Sequence, residues 1–267
     1  MAFSSWRGTV GIVRPTLRTG GFEDLIRLLP DGIGVIPLIL NVRRGAVDEF
    51  KTVIPAYEEK VAELAAAGVD VVNPSGAPPF MVLGYDQEQK LIRTWQDKYG
   101  TRIFTSGTSH VDALRALKVR RFIGATYFRG DINRIYANYF NDAGFECLAM
   151  AGMDVDFDKA QELSGFEVYR FIKQEFLAQR RAEAIYMLGP AWRTLDIVEM
   201  LEQDLGVPVV HAIPAQCWDI QRHLNIRQPV KGFGRLLAEM PDGPTMSVQR
   251  SRPTSARKKS GGNANKG

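Results

Sequence analysis

Few side chains in this 267-residue sequence can carry a proton near neutral pH: His110, His211, His223, Cys147 and Cys217. His110 follows the apolar stretch Ile103-Phe104-Thr105 and opens a helical pattern, and His211 lies near the end of Pro208–Ile213. Both fall at the carboxyl ends of strand candidates, the side of a parallel sheet on which ligands bind. His223 comes late on the last helical pattern and is expected at the surface. Cys217 lies just past the strand that holds His211 and is a candidate acid, whereas Cys147, within Phe145-Glu146-Cys147-Leu148, reads as core. Arginines supply the complementary chemistry. Arg14 and Arg18 bracket Pro15-Thr16-Leu17, and a guanidinium fork matches a carboxylate bidentately. Arg129, close to the same cleft edge in sequence, is expected to pair at the surface. No CxxC or HExxH spacing occurs, so no zinc site is expected, and two cysteines do not make a disulfide framework.

These side chains need a scaffold, and the hydrophobic pattern describes one. Apolar runs at Gly8–Thr16, Gly32–Leu40, Val69–Asn73 and Arg102–Thr105 read as strands. Helical spacing links them: Phe50, Ile54, Tyr57, Val61 and Leu64 predict a helix over Asp48–Ala67, stopped by Gly68, and others follow near Asp86–Lys98 and Ser109–Leu117. The order then starts again, with strands at Arg121–Phe128, Phe145–Ala149, Ala184–Leu188 and Pro208–Ile213. Helices are predicted over Asp131–Ala143, Phe166–Arg180 and Thr194–Leu205, with a last one from near Ala215. Continuous apolar strands separated by helices imply parallel sheets covered on both faces. The third strand of each half ends in a small, turn-forming segment, Asn73-Pro74-Ser75-Gly76-Ala77 in one and Leu188-Gly189-Pro190-Ala191 in the other. Two halves facing each other would set both segments on one cleft.

Composition narrows the class. Hydrophobic residues make up 45% and charged residues 24%, as in a globular protein. The longest apolar run, Ile33–Leu40, is broken by Gly34 and Pro37 and is too short to span a bilayer. The first residues show no leader pattern, so a cytoplasmic location is expected. The net charge of +4 belongs to the tail: Arg250, Arg252, Arg257, Lys258, Lys259 and Lys266 lie in residues 245–267 without an acid, which leaves the remainder near −2. That tail is Gly/Ser-rich and is expected to be disordered; no specific nucleic acid and no membrane is expected as a partner.

Several stretches carry a family resemblance. Ala184–Asp196, Leu205–Val210 and Pro214–Asp219 resemble the second half of arylmalonate decarboxylases and maleate cis-trans isomerases, a branch of the aspartate/glutamate racemase superfamily. So do Ala113–Phe122 and Ala125–Asn133, and Gly11-Ile12-Val13-Arg14-Pro15 is similar to the family's first strand and substrate loop. The resemblance covers about Gly8 to Asn225. It implies an α/β fold of two pseudo-symmetric halves, each a parallel four-stranded sheet flanked by helices. The halves would comprise residues 1–118 with 225–244, and 119–224. Ser75, Gly76, Ala77, Thr126 and Tyr127 match positions that hold a substrate carboxylate in the family, and Arg18 stands where the isomerases carry an asparagine. The family's chemistry uses one or two cleft cysteines. Their positions fall here at Ser75 and Gly189, so both thiols are missing.

The resulting expectation is a cofactor-free lyase- or isomerase-type enzyme acting on a small carboxylic acid in the cleft between halves. Decarboxylation through an enediolate-like intermediate needs only one proton donor, so it tolerates loss of the thiol pair better than racemisation does. Catalytic candidates are His211, Tyr127 and Cys217. Substrate-binding candidates are Arg18, Ser75, Gly76, Ala77, Thr126, Tyr127, Gly189 and Pro190. A hydratase or ring-opening hydrolase on a small cyclic substrate is the alternative, as is a non-catalytic carboxylate-binding protein. Homo-oligomerisation is expected only through the resemblance, since family members often assemble.

Overall fold

Among the described residues, eight short strands alternate with helices. The computed structural model describes residues 4–156, 159–189, 191–192 and 194–244. The first half runs β1 (Gly8–Arg14), α1 (Gly21–Leu28), β2 (Ile33–Ile39), α2 (Val47–Thr52), α3 (Ile54–Ala66), β3 (Val71–Pro74), α4 (Ala77–Leu83), α5 (Tyr85–Tyr99), β4 (Arg102–Ile103) and α6 (Ser106–Ala116). The second runs β5 (Arg121–Thr126), α7 (Asp131–Asp142), β6 (Glu146–Gly152), α8 (Gly165–Ala178), β7 (Ala184–Met187), α9 (Asp196–Leu205), β8 (Val209–His211), α10 (Ala212–His223) and α11 (Arg235–Glu239). Each half forms one four-stranded sheet, ordered β2-β1-β3-β4 and β6-β5-β7-β8. Every strand pair is parallel. The two orders are the same order, so the halves are pseudo-symmetric, as expected from the resemblance.

Central strands carry the core. Val10, Ile12 and Val13 of β1 and Phe122, Ile123 and Ala125 of β5 are buried. Each large apolar side chain removed from water contributes roughly 1.5–3 kcal/mol. Among the described residues no helix is long and apolar enough to cross a membrane.

Three elements depart from the expected pattern. The helix predicted over Asp48–Ala67 is two helices that meet at Val53, because Pro55 sits in the first turn of α3. Proline has no N–H to donate, and its ring opposes the carbonyl four residues back. α4 is an unpredicted helix whose first turn contains Pro78 and Pro79, where missing N–H groups are harmless. α10 starts three residues before Ala215.

The boundary between halves also differs. α10, expected with the second half, packs on α1 and α6 of the first as well as on β8. The segment expected with the first half divides: Arg7 Nη1 donates to Gln228 Oε1 beside β1, whereas α11 packs on β8, and Arg235 N–H donates to Glu202 on α9. The chain thus crosses between halves twice after β8, which ties them together. The basic tail lies outside the described residues.

Candidate active site

The carboxyl ends of both sheets open onto one cavity. From the first half it is lined by Arg14, Thr16, Arg18 and Phe22 after β1, by Ser75, Gly76 and Ala77 after β3, and by Ser106 and His110 of α6. From the second half come Tyr127 after β5, Leu188 and Ala191 after β7, and Ala212, Ile213 and Gln216 at the start of α10. Ile12, Leu25, Val42 and Phe50 add apolar wall, and the cavity measures about 110 Å³. This is a mostly apolar pocket with a few convergent polar groups, the usual form of a small-molecule site.

The turn after β3 is built by conformation. Gly76 has φ +97°, and a Cβ there would lie 2.7 Å from the ring of Pro15. Its neighbours are pinned: Ser75 N–H donates to Val13 O at 2.8 Å, Gly76 N–H to Ser106 Oγ at 3.0 Å, and the Tyr57 hydroxyl to Ser75 O at 2.6 Å. The amides of Ser75 and Gly76 are therefore engaged within the protein. What this turn presents to the cavity is the Ser75 side chain and the surfaces of Gly76 and Ala77.

The arginines divide by role. Arg14 Nη2 donates to Arg18 O at 2.6 Å and its guanidinium lies 4.8 Å from the Phe22 ring centroid, so Arg14 shapes the loop that carries Arg18. Arg18 is half-buried, and its charge is felt by Tyr127. Tyr127 is buried edge-on to Trp192, with ring centroids 5.7 Å apart. Burial pushes its phenol above the ordinary range, and Arg18 pulls it back. Arg129 is a surface group paired with Asp154 and Asp156, as expected.

Other candidates lie elsewhere. The Thr126 hydroxyl donates to Asn133 Oδ1 at 2.5 Å and accepts from Phe128 N–H at 3.1 Å, so it closes the turn after β5 and does not line the cavity. Cys217, considered as a displaced acid, points the other way: fully buried, its Sγ donates to Leu28 O on α1 at 3.4 Å, and burial pushes the thiol up to about 12. Cys147 is half-buried with its thiol also pushed up to about 12. Pro190 lies outside the described residues.

His211 is a helix cap. Its Nδ1 accepts from Ile213 N–H at 3.1 Å, at the start of α10, and Nε2 lies 3.4 Å from Thr194 Oγ1. Burial drives its pKa down to about 3, so it is uncharged near neutrality. It is not among the described residues lining the cavity. Its ring instead fills the space beside Gly189, where any Cβ would overlap the imidazole. Gly189 is likewise absent from the lining. His223, expected at the surface, is largely buried and stacks on Phe104 with ring centroids 4.5 Å apart.

Among the lining residues that escaped the sequence reading, Gln216 and Ser106 are polar side chains on helices. Gln216 Nε2 donates to Asn73 Oδ1 at 2.6 Å and Asn73 Nδ2 to Phe104 O at 3.0 Å, which locks α10 to β3 and β4. Ser106 begins α6. They enter the cavity from the first two turns of helices, where strand-end reasoning does not look.

Paired four-stranded parallel sheets around a common cleft define a two-half α/β protein of the racemase-like kind. The sequence pattern of the arylmalonate decarboxylase family matches residues 24–237, and the chain belongs to that family. Arylmalonate decarboxylase of Bordetella bronchiseptica is 26% identical over 240 residues, covering 86% of this chain and 97% of that protein. The structure of unliganded arylmalonate decarboxylase superposes with a TM-score of 0.76 at 24% identity, over 87% of this chain and 99% of that one. Maleate isomerase from Pseudomonas putida S16 with maleate gives 0.77 at 18%, over 86% and 97%. A mutant of Nocardia farcinica maleate cis-trans isomerase, with a covalently bound succinylcysteine intermediate, gives 0.77 at 20%, over 87% and 98%.

Proposed function

We propose that the chain catalyses cofactor-independent decarboxylation, or a closely related proton transfer, on a small carboxylic acid with an apolar substituent. Its relatives make it an enzyme of the decarboxylase/isomerase type. The observation that carries the finer reading is Tyr127, buried in the cavity wall with the charge of Arg18 set against it.

In this reading Arg18 holds one carboxylate and the apolar wall of Phe22, Val42 and Phe50 takes the substituent. The bond from the other carboxylate carbon to its neighbour breaks and CO₂ leaves. The electron pair stays on that neighbour and spreads onto the retained carboxylate as an enediolate, which Arg18 stabilises. Tyr127 Oη–H then gives its proton to the carbon, and the tyrosinate formed beside Arg18 recovers a proton from water. Arg18 thus favours the charged form at both stages.

The test is turnover of arylmalonates in deuterium oxide, read by mass spectrometry. CO₂ release with one deuteron at carbon is expected, and Tyr127→Phe should lower kcat by about 10²–10⁴-fold, the span of general acid catalysis. Equal turnover in the variant would remove Tyr127 from the chemistry. A second reading, a carboxylate-binding protein, is favoured by the placement of both thiols away from the cavity. It would be supported by thermal stabilisation with these acids and no turnover.

A further inference from the structure

Among the polar side chains of the cavity that the proposed chemistry has not used, one is buried with a partnerless ring nitrogen. His110 sits on the second turn of α6 and lines the cavity while being 1% exposed. Its Nδ1 lies 3.2 Å from the Tyr186 hydroxyl of β7, and the two rings are 5.2 Å apart between centroids. Its Nε2 is buried and has no hydrogen-bond partner among the described residues. A buried polar atom without a partner is costly, so such an atom in a cavity wall marks a place where a ligand completes the bonding.

The chemistry of the pair fixes which proton sits where. A phenol is a far stronger acid than a neutral imidazole N–H, so Tyr186 donates to Nδ1 and the ring proton sits on Nε2. Burial, with the nearby His211 adding to it, drives the pKa of His110 down to about 3. The ring is therefore an uncharged donor throughout the neutral range. Neutral imidazole suits an oxygen on which charge develops during reaction, because it needs no proton uptake beforehand.

We propose that His110 is a catalytic residue whose Nε2–H donates a hydrogen bond to the substrate oxygen that gains negative charge, with Tyr186 as its positioning residue. This rests on the decarboxylase-type reading of the same cavity. The ligand class is a small oxyanion on an apolar body. His110 belongs to the first half and Tyr186 to the second, so the donor is aimed only when both halves are docked.

The experiment uses the full chain and two readouts. Benzylphosphonate, an oxyanion on an apolar ring, serves as the binding probe, and arylmalonate turnover serves as the activity. Spectra of the ¹⁵N-histidine-labelled protein should show a protonated Nε2 on His110 that shifts on adding the phosphonate. His110→Phe should bind the phosphonate at least tenfold more weakly and lose 10²–10³-fold in kcat with little change in KM. His110→Gln, which keeps a side-chain N–H, should recover part of both. Since loss of the Tyr186 partner could unsettle the fold, the Phe variant is read only beside its circular dichroism, and the labelled wild type stands as the independent measurement. An unprotonated Nε2, or wild-type phosphonate affinity in a folded His110→Phe, overturns the assignment. Phosphonate binding that depends on His110 without arylmalonate turnover upholds the donor and overturns the decarboxylase reading. Turnover that survives His110→Phe does the reverse.

Discussion

Placing a cysteine at residue 189, where the resemblance puts the family's second thiol, should destabilise this protein, and removing the imidazole of His211 should restore much of the loss. A Cβ on residue 189 would occupy the space of that ring. Gly189→Cys must therefore displace either the ring or the backbone. Displacing the ring forfeits the cap on Ile213 N–H, about 1 kcal/mol. Overpacking costs about 1–3 kcal/mol more. We expect the single variant to lose about 3 kcal/mol. His211→Asn keeps an N-cap oxygen but leaves a void, for a loss of about 2 kcal/mol. In the double variant the thiol fills the void, so the loss should be about 2 kcal/mol rather than the sum, a coupling of about 3 kcal/mol, at the top of the range for residues in contact. Urea unfolding at constant m reads all three variants against wild type. A Gly189→Cys protein within about 0.5 kcal/mol of wild type, or strict additivity in the double variant, would refute the reasoning.

Two further outcomes concern the scaffold around the cavity. Glu88 is fully buried on α5, where its carboxyl accepts hydrogen bonds from Thr105 and from Tyr139 of α7; burial raises its pKa from 4.5 to about 7, against the pull of both hydroxyls. The folded chain thus holds this proton to higher pH than the unfolded one. Its contribution is full below the ordinary carboxylate range and falls as pH rises to about 7, by about 3 kcal/mol. Glu88→Gln should flatten that slope in urea midpoints measured from pH 5 to 8, and a variant as pH-dependent as wild type would exclude Glu88 as the cause. Asp219 of α10 is buried, accepts from Ser109 Oγ and Arg222 Nη1, both at 2.8 Å, and joins α10 to α6. Asp219→Asn should cost about 3 kcal/mol in the same assay, the low end for breaking a buried pair, because Asp112 still faces Arg222 at 3.4 Å.

The sheets were legible because their residues carry one unambiguous signal: continuous apolar runs such as Val71-Val72 and Ile185-Tyr186 belong to strands buried on both faces. Helix ends were less so. The period through Phe50, Ile54 and Tyr57 continues across Val53, and only Pro55 records the break. α10 begins early because a histidine caps it, a residue outside the usual capping set. At the candidate site, strand position led to the carboxyl end of each sheet, and Arg18, Ser75 and Tyr127 line the cavity there. It did not identify which side chains face the cavity. Thr126 and Tyr127 are neighbours, yet one hydroxyl closes a turn and the other side chain forms the wall. His110 and His211 both come from the carboxyl-end side of a strand, yet His211 caps a helix and His110 lines the cavity. Some of these placements arise from partners far away in sequence, such as Tyr186 for His110 and Leu28 for Cys217.

Glycine at 189 and histidine at 211 are best understood as one unit. The glycine admits the imidazole, and the imidazole caps α10, whose first turns deliver Ile213 and Gln216 to the cavity. A thiol placed at 189 alone would disturb the helix that shapes the pocket. The absence of cysteine at 189 is therefore built into the packing rather than being a vacancy the scaffold ignores. Cys217 offers no replacement: its thiol is turned toward α1 and held protonated by burial. The proton transfer proposed for this cavity would run on groups that stay neutral in a mostly apolar wall, with charge supplied by Arg18. A phenol and an uncharged imidazole meet that requirement, because neither has to be buried as an ion before the substrate brings its own charge.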